Sequence, residues 1–578
     1  MPPGPLGDAV AALGAQAKIT LGAGGGLPRV HSPGAHGRLS ARAALARVLG
    51  GSGWRAVPLS AGVFRLEPAL SGARFVVLAP VTAPGDIVVT ATKRDERLSA
   101  VPFATTVIRL DAPHLADRIA TTAEIAANAE GVGLTNLGPG RNRLFLRGVA
   151  DSPFNGPTQS TVGVYLDDAR LGFAAPDPDL RLVDVARVEV LRGPQGTLYG
   201  TGALGGVYRI VTNKPSLDEG WAGRVGVGDA ATVHGAPSAS FDVAVNAPVA
   251  DDLAARVVGY ATHDGGWIDD RRRGRGSINR VNVAGGRAAL RWGPGADWTV
   301  DVGGALQRID VADGQYAVAD IGTRARAAAI AQPSGNDFDA VSLAVAGRLA
   351  GARLASTTAY VGRALSSRYD ADAGAVFDEY QTERLLSHET RLSRTEGDRS
   401  WLVGVALLSA HSNLDGHLTS AGAEPRPIEH LRREVLEGAL FGEARRTVLK
   451  RLDLTLGGRV SDTSIRDDAG AGGVTVTRLR VSPTAALLWR ALPGFEVYGR
   501  WANAFRPGGL TGTAGAQSRT FSSDKLRSLD FGIRAWRGVI AAEFSLFDIV
   551  WRDVQSDLLQ SNGLIATANV GRTRILGG

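Results

Sequence analysis

Apolar and polar residues alternate along most of the chain in short segments. In residues 287–292, RAALRW, arginines alternate with apolar side chains, and residues 298–302, 452–456 and 495–501 repeat this spacing. Successive side chains of a β-strand point to opposite faces, so a period of two indicates strands with one apolar face. Because Gly, Pro and Asp separate the segments, the pattern predicts a long meander of antiparallel hairpins.

This meander is compatible with two architectures, a soluble β-sandwich and a membrane-spanning β-barrel. Many hairpins follow one another without helical segments, which favours a barrel. Tryptophans also lie in or at the ends of strand-like runs, where the aromatic girdles of a barrel occur: Trp292, Trp401, Trp489, Trp501, Trp536 and Trp551. Aromatic residues make up only 6% of the chain, which is low for a barrel with two girdles.

The N-terminal part, residues 1–67, has a different pattern. Apolar residues at helical spacing alternate with short β-like runs, which predicts a small α/β domain. The predicted helices and strands are a helix at 5–18, a strand at 19–24, a helix at 39–49 with a serine at its entry, and a strand at 63–66. Residues 68–85 contain three prolines and little pattern, so we expect a linker there.

A second, glycine-rich region follows the linker. Its β-like runs lie at residues 162–168, 186–193 and 205–215, and the last of them ends at a proline. These runs predict a compact, mainly β domain between the linker and the meander.

Composition excludes several classes of protein. Hydrophobic residues make up 44% of the chain, which argues against disorder, and no apolar run approaches the roughly 18 residues of a membrane-spanning helix. The absence of cysteine excludes a disulfide framework. The net charge of +7 comes from 64 basic and 57 acidic residues that are scattered, which argues against a nucleic-acid stripe. We expect the densest basic cluster, residues 271–275, to be a solvated loop tip.

Three segments carry a resemblance to a known family. They are DIVVTATKR at 86–94, LFLRGVADSPFNGPTQSTVGVYLDDARLG at 144–172 and DVARVEVLRGPQGTLYGTGALGGVYRIVTNKP at 184–215. Together they resemble the TonB-dependent outer-membrane receptors of the siderophore-receptor type. The resemblance implies a TonB box at 86–94, a plug domain at 95–218 and an antiparallel transmembrane β-barrel at 219–578.

In this family the TonB box adds a strand to the partner protein TonB, which transmits energy from the inner membrane. The residues that the resemblance assigns to TonB binding are Asp86, Ile87, Val88, Val89 and Thr90. Four of them are β-branched, which suits an extended strand. A few backbone hydrogen bonds of about 1 kcal/mol each give weak, reversible attachment. The alternative is that this segment is an ordinary first strand.

The plug resemblance rests on a further set of residues: Arg147, Gly148, Arg192, Gly193, Pro194, Gly196, Gly200, Gly205 and Gly206. Glycines permit tight turns and close backbone approach, as a domain packed inside a barrel requires. Two roles remain open for the two arginines. Either they are structural, held by backbone carbonyls or a barrel acid, or they form a plug–barrel contact that breaks during transport.

Residues 1–67 resemble the short N-terminal signalling domain shared by secretins and TonB receptors. In receptors with this domain it reports ligand occupancy to an anti-sigma regulator, so residues 1–94 are expected in the periplasm. Family barrels have twenty-two strands, and the chain after residue 220 is short for that number. No signal peptide is visible at the start. We therefore expect a fragment that lacks its true start and its C-terminal strands.

The resemblance implies a receptor in the bacterial outer membrane for active uptake of a scarce ligand, most often a ferric siderophore. Cobalamin, haem and oligosaccharides are alternative ligands, and a sensor that mainly controls transcription is an alternative function. A passive porin has no use for a plug. No nucleophile elbow and no metal-ligand spacing is visible, so we expect no enzyme activity, no catalytic or metal-binding residue and no cofactor other than the transported ligand.

Overall fold

The computed structural model describes residues 4–17, 19–23, 30–37, 39–52, 54–60, 63–68, 87–110, 121–150, 152, 158–295, 297–371, 374–470, 473–511, 520–537, 540–559 and 565–578. The chain forms two compact units, Met1–Val77 and Leu78–Gly578. The first is a small α/β unit and the second is almost entirely β, which confirms the predicted fold class.

The first unit has two helices, α1 (Leu6–Ala17) and α2 (Ala41–Val48). Its strands are β1 (Gly4–Pro5), β2 (Thr20–Ala23), β3 (His31–Ser32), β4 (Trp54–Ser60) and β5 (Val63–Pro68). They form a sheet of order β2-β5-β4 and a β1–β3 pair. The predicted helices are confirmed, and the hydroxyl of Ser40 caps α2 by accepting from the Ala43 nitrogen at 3.3 Å. Buried side chains of both helices pack on the sheet to form one core.

The second unit begins with the region predicted to be the plug. It contains β6 (Val88–Val89), β7 (Glu96–Arg97), a 3₁₀ turn (Leu98–Ala100), β8 (Thr105–Arg109), α3 (Thr122–Asn128), β9 (Val132–Leu134), β10 (Leu144–Leu146), β11 (Val162–Leu166), β12 (Ala169–Arg170), β13 (Val185–Arg192), α4 (Gly196–Tyr199) and β14 (Gly206–Thr212). Five strands form a mixed sheet of order β12-β11-β14-β13-β8. Every residue of β14 is buried, so this strand is covered on both faces.

The remaining strands are β15 (Ala222–Ala230), β16 (Ser238–Ala250), β17 (Leu253–Asp264), β18 (Asp269–Asp270), β19 (Val281–Trp292), β20 (Thr299–Val311), β21 (Ala325–Arg326), β22 (Ser334–Leu349), β23 (Ala352–Ala371), β24 (Ala375–Glu396), β25 (Arg399–Thr419), β26 (Arg426–Leu449), β27 (Leu452–Asp468), β28 (Gly473–Val481), β29 (Thr484–Leu492), β30 (Phe495–Arg506), β31 (Gly509–Leu510), β32 (Thr520–Phe521), β33 (Asp524–Arg537), β34 (Ile540–Arg552), β35 (Gln555–Leu559), β36 (Ile565–Asn569) and β37 (Thr573–Gly577). A second 3₁₀ turn lies at Ala319–Ile321. Seventeen of these strands form one antiparallel sheet in chain order, and the short strands β18, β21, β31, β32, β35 and β36 pair outside it.

The large sheet wraps around the plug. Inward side chains such as Phe338, Leu385 and Val435 share one core with Val164 and Tyr208 of the plug sheet. Outward positions carry exposed apolar side chains, which is the alternation that the sequence pattern predicted. They include Leu306, Val341, Leu343, Leu407, Leu436, Leu440 and Leu529.

One expectation about an individual residue is wrong. Trp551 does not belong to an outer girdle, because it is buried inside the barrel and its indole nitrogen donates to Asp524 at 2.9 Å. The basic cluster 271–275 is mostly an exposed turn, as expected, and within it Arg273 pairs with the buried carboxylates of Asp270 and Asp313. Asp524 and Asp313 lie on neighbouring strands or loops that the local sequence does not identify, whereas Asp270 lies only three positions before Arg273. Among the described residues, no helix is long and apolar enough to cross a bilayer.

Candidate functional site

The segment predicted to bind TonB lies at the start of the second unit. Asp86 lies outside the described residues. β6 pairs antiparallel with β7, and the Leu98 nitrogen donates to the Ile87 carbonyl at 2.8 Å. Val89 is fully buried, whereas Val88 is 47% exposed. The segment therefore forms a short hairpin against the plug, with one side chain directed to solvent.

A buried carboxylate anchors the end of this segment. Glu189, in strand β13, is fully buried and accepts from the backbone nitrogens of Thr90 at 3.1 Å and Ala91 at 2.7 Å. Arg187 and Arg209 both donate to the Thr90 hydroxyl, and both pair with Glu189. Charge-assisted hydrogen bonds of this kind are the strong ones. The anchor therefore joins the segment directly to an inner strand of the plug sheet.

The next residues attach to the barrel wall. Lys93 pairs with Glu389 of β24 at 2.7 Å, and its ammonium group lies 4.3 Å from the ring centre of Tyr199. Burial lowers the pKa of Lys93, and the charge of Glu389 opposes this effect. Arg94 pairs with Glu443 of β26. These contacts connect the segment to two barrel strands.

Two further ion pairs continue this attachment. Asp95 pairs with Arg353 of β23, and Glu96 lies 3.3 Å from Arg445 of β26. Residues 93–96 thus contact three barrel strands, through two basic residues followed by two acidic ones. We call residues 87–96 the coupling segment.

The two arginines of the plug signature have different partners. Arg147 has a left-handed backbone, with φ of 53°, and forms an ion pair with Asp530 of barrel strand β33, both side chains being almost completely buried. Arg192 donates from Nε and Nη2 to the carbonyl of Glu130, at 2.9 and 2.6 Å, within the plug. Arg147 therefore contacts a barrel acid, which is compatible with both expected roles, and Arg192 contacts a backbone carbonyl within the plug, the arrangement expected for a structural role.

Two signature glycines permit close backbone contacts. A Cβ atom at Gly196, at the start of α4, would lie 2.7 Å from the backbone oxygen of Asn503 in β30. Gly206 has φ of 146°, and a Cβ atom there would lie 2.0 Å from the Leu191 oxygen. Side chains at these positions would push α4 away from the barrel or separate two plug strands.

The other signature residues lie around α4. The Pro194 carbonyl accepts from Arg500 of β30 at 3.0 Å, and the Gly193 nitrogen donates to the Gly205 oxygen at 2.8 Å. Gly200 ends α4 with φ of 75°. Gly148 also has a positive φ, of 72°. The structure therefore brings most of the signature together at the surface where plug meets barrel.

Sequence reasoning missed the barrel side of this surface. Glu383 of β24 accepts from the backbone nitrogens of Phe173 at 2.9 Å and Ala174 at 3.1 Å. Arg534 of β33 donates to three carbonyls near the coupling segment, those of Leu98, Val101 and Phe103. A signal was present, because both residues are charged and occupy inward positions of alternating strands.

A cavity of about 550 Å³ lies beside the coupling segment, between the plug and the barrel wall. Thr90, Lys93 and Arg94 line one side of it, and barrel residues from β17 to β24 line the other. Movement of the coupling segment would therefore enlarge this space.

Comparison with known proteins identifies both parts of the second unit. Residues 97–207 match the TonB-dependent receptor plug domain. Residues 228–578, more than half of the chain, match the family described as TonB dependent receptor-like, beta-barrel.

Individual relatives agree with these matches. The pesticin receptor of Yersinia pestis is 38% identical over 136 residues, which are 22% of this chain and 19% of the receptor, so the match spans about a fifth of that relative's length. The structure of the ferric yersiniabactin uptake receptor from Yersinia pestis has a TM-score of 0.71 at 19% identity, covering 82% of this chain and 75% of that one.

A second solved structure covers more of the chain. The ferripyoverdine receptor of the outer membrane of Pseudomonas aeruginosa has a TM-score of 0.66 at 16% identity, over 96% of this chain and 77% of that one. Its alignment therefore includes most of residues 1–77. At these identities the two structures show a shared fold. With a matching plug inside a matching barrel, the chain belongs to the TonB-dependent receptors, a family of outer-membrane transport receptors and not of enzymes.

Proposed function

We propose that this receptor takes up a ferric siderophore, driven by TonB bound to residues 86–90. Two of the similar structures are receptors named for ferric yersiniabactin and ferripyoverdine, which supports this class of ligand. Cobalamin, haem or an oligosaccharide are the alternatives within the same architecture. An uptake assay in which each of these compounds competes with the ferric siderophore distinguishes the alternatives.

The observation that carries the proposal is the anchor of Thr90 and Ala91 on Glu189. If TonB adds a strand at Val88, it pulls on the backbone just before Thr90 and Ala91. These two residues are hydrogen-bonded to Glu189 of β13. Strand β13 lies between β14 and β8 in the plug sheet. Force applied to the exposed end of the segment therefore reaches the plug without an intervening flexible linker.

Pulling on the coupling segment would also break the ion pairs that attach residues 93–96 to the barrel wall. Lys93 and Arg94 hold the coupling segment on the barrel through Glu389 and Glu443. When the segment is drawn out, these pairs break and the neighbouring cavity widens on the side that the segment lined. Hydrogen bonds to charged groups contribute about 1.5–3 kcal/mol each, so a mechanical pull can break these few pairs one after another and they re-form afterwards.

Uptake of radioactive ferric siderophore by variants at Val88 tests this proposal. Val88→Pro removes a strand-forming backbone donor, whereas the control Val88→Thr keeps a β-branched side chain and that donor. We expect V88P to bind ligand at the cell surface but to accumulate none, and V88T to transport normally. Wild-type accumulation by V88P would show that TonB does not act through this segment.

A second candidate function is signalling by residues 1–67 to an anti-sigma regulator. The observation that favours it is that residues 1–77 form a compact unit with its own core, distinct from the plug and barrel. Deletion of residues 1–70 should abolish ligand-dependent transcription and leave uptake intact. Loss of uptake would instead assign this unit to transport.

A further inference from the structure

Two glutamates face each other across the inner wall of the barrel, just above the plug. Glu379 of β24 and Glu429 of β26 both pair in register with Gly416 of β25, which lies between them. Side chains alternate along a strand, so Glu379 points inward like Glu383, the residue that holds two amides of the plug. Glu429 points inward in the same way as the buried Leu431. The two carboxylates therefore project from the wall into the lumen.

This pair of glutamates lies on the extracellular side of the membrane. The turn after Glu396 is short, and the short turns of such barrels are periplasmic. Counted from that turn, Glu379 lies well beyond the roughly 9–11 residues that a crossing strand needs. A ligand that enters the barrel from outside therefore meets the pair before it meets the plug sheet.

Neither glutamate has a partner within the part of the chain that the structure describes. Glu379 and Glu429 accept no hydrogen bond and form no ion pair there, although Glu429 is only 5% exposed. The charge of Arg141 acts on Glu379, but this guanidinium donates to the Tyr369 hydroxyl at 2.7 Å. A buried carboxylate without a partner is costly. A cation supplied from outside the protein would remove that cost.

The surroundings add further negative charge beside Glu429. Asp557 of β35 lies close enough for its charge to act on Glu429, although it is itself paired with Arg143 at 3.4 Å. Burial, followed by the charges of Glu379 and Asp557, raises the pKa of Glu429 to about 9, and no positive group among the described residues opposes this shift. A cation bound beside Glu429 would lower this pKa and keep the carboxylate ionised.

An aromatic ring lies beside the two carboxylates. A Cβ atom at Gly416 would lie 2.8 Å from the ring of Phe377 and 2.9 Å from the Cβ atom of Glu429, so these two side chains converge over the glycine. The Phe377 ring also stacks on Tyr369, with 5.9 Å between the ring centres. The pairing of β25 with β26 shifts register directly after Gly416, and such bulges change the direction of neighbouring side chains. Carboxylates next to an aromatic ring suit an organic cation.

The spacing of the two glutamates fits one small organic cation. Strands two apart in a sheet are roughly 10 Å from each other, so both side chains can reach a guanidinium or ammonium group between them. A metal ion fits less well, because no three acidic or histidine side chains in the described ranges are grouped to hold one.

We propose that Glu379 and Glu429 bind a cationic group, an amine or a guanidinium, on the transported ligand. The receptor thereby selects ferric siderophores that carry a positive charge, which rests on the proposed uptake of siderophores. The cation site itself does not depend on that function, so the two can be tested separately.

Saturation-transfer NMR of the full chain, purified in detergent, tests the cation site without a siderophore. The probes are methylguanidinium and methylurea, a neutral molecule of the same shape. The variant E379Q/E429Q removes both carboxylates. The matched control E424Q/E434Q makes the same change of charge at two exposed glutamates. Heat-modifiable migration on gels shows that each protein is folded, and the single variants E379Q and E429Q replace the double variant if it fails this check.

We expect the wild type and E424Q/E434Q to bind methylguanidinium saturably, and E379Q/E429Q to bind it at least about tenfold more weakly. Wild-type affinity in E379Q/E429Q, or in both single variants, would overturn the cation site. Equal binding of methylurea by the wild type, or no saturable binding of methylguanidinium, would also overturn it.

Uptake of radioactive iron tests the choice of ligand. Ferric siderophores from the culture fluid of iron-starved cells are separated on a cation exchanger. The retained fraction should enter through the wild-type receptor and through E424Q/E434Q, and at least about tenfold more slowly through E379Q/E429Q. Uptake from the unretained fraction alone would overturn the selection of cationic siderophores. Uptake from neither fraction would overturn the proposed function, while binding of methylguanidinium would still decide the cation site.

Discussion

The backbone nitrogen of Thr90 lies 3.1 Å from a carboxylate oxygen of Glu189, although 99 positions separate the two residues in the chain. Thr90 ends the segment proposed to bind TonB, and Glu189 is fully buried in β13. A buried carboxylate that accepts from backbone amides is stabilised by them and fixes their position. This contact joins the proposed binding point for TonB to the plug sheet.

Replacement of Glu189 should loosen the coupling segment. Glu189→Gln loses the charge that orders Arg187, Arg209 and the amides of residues 90 and 91. Since hydrogen bonds to a charged group contribute about 1.5–3 kcal/mol, transient opening should increase at least about tenfold. Thiol labelling of a cysteine placed at the buried Val89 measures this opening, and the chain has no cysteine of its own.

The matched control for that variant is Glu130→Gln, because the side chain of Glu130 is exposed. Equal labelling rates in the Glu189 and Glu130 variants would show that the carboxylate does not hold the segment.

Removing one partner of the buried Arg147–Asp530 pair should destabilise the plug more than removing both partners. Asp530→Asn leaves an unpaired buried guanidinium and should destabilise the plug by about 3 kcal/mol. R147M/D530L removes both charges and should recover part of this loss. Urea-induced plug unfolding in detergent measures both variants, with the exposed Asp229→Asn as control. A double variant less stable than D530N would contradict this account.

A side chain at Gly196 should separate the plug from the barrel. Its Cβ atom would meet the backbone of β30 at 2.7 Å, so Gly196→Ala should cost about 1–3 kcal/mol and lower the melting temperature. Gly458→Ala is the control, since no atom lies within 4 Å of a Cβ atom there. Similar melting temperatures for the two variants would indicate that this contact is not tight.

The stability of the plug should depend on pH through Asp177. Burial raises the pKa of Asp177 from 3.8 to about 6, although Arg363 opposes this effect. The folded protein thus binds this proton more tightly than the unfolded chain. The stabilisation is complete below about pH 4 and is lost as the pH rises through 6. Asp177→Asn should flatten the melting temperature between pH 4 and 7, and parallel curves for both proteins would exclude this group.

Much of the architecture could be predicted because it depends on local pattern. The helices of the first unit follow from apolar spacing and the serine cap at Ser40, and the strands of the barrel follow from the period of two. The glycines of the plug signature were recognised through resemblance, and the structure shows the close backbone contacts that two of them permit.

The partners of the site could not be predicted, because they depend on distant parts of the chain. Arg147 and Asp530 are 383 positions apart, and Lys93 and Glu389 are 296 apart. The pairing of β6 with β7 involves only two residues on each strand, too few to give a pattern. Trp551 lies in a strand-like run of alternating residues, as the outward tryptophans do, so the sequence pattern does not distinguish it from them. Only the pairing of the strands places it beside Asp524.

Site-specific cross-linking from position 88 tests the central claim most directly. With no native cysteine in the chain, Val88→Cys provides a single thiol at a half-exposed position of the coupling segment. In cells that contain TonB variants with one cysteine, we expect a disulfide between receptor and TonB that increases when ferric siderophore is added. The absence of this cross-link, with ligand transport intact, would contradict the account.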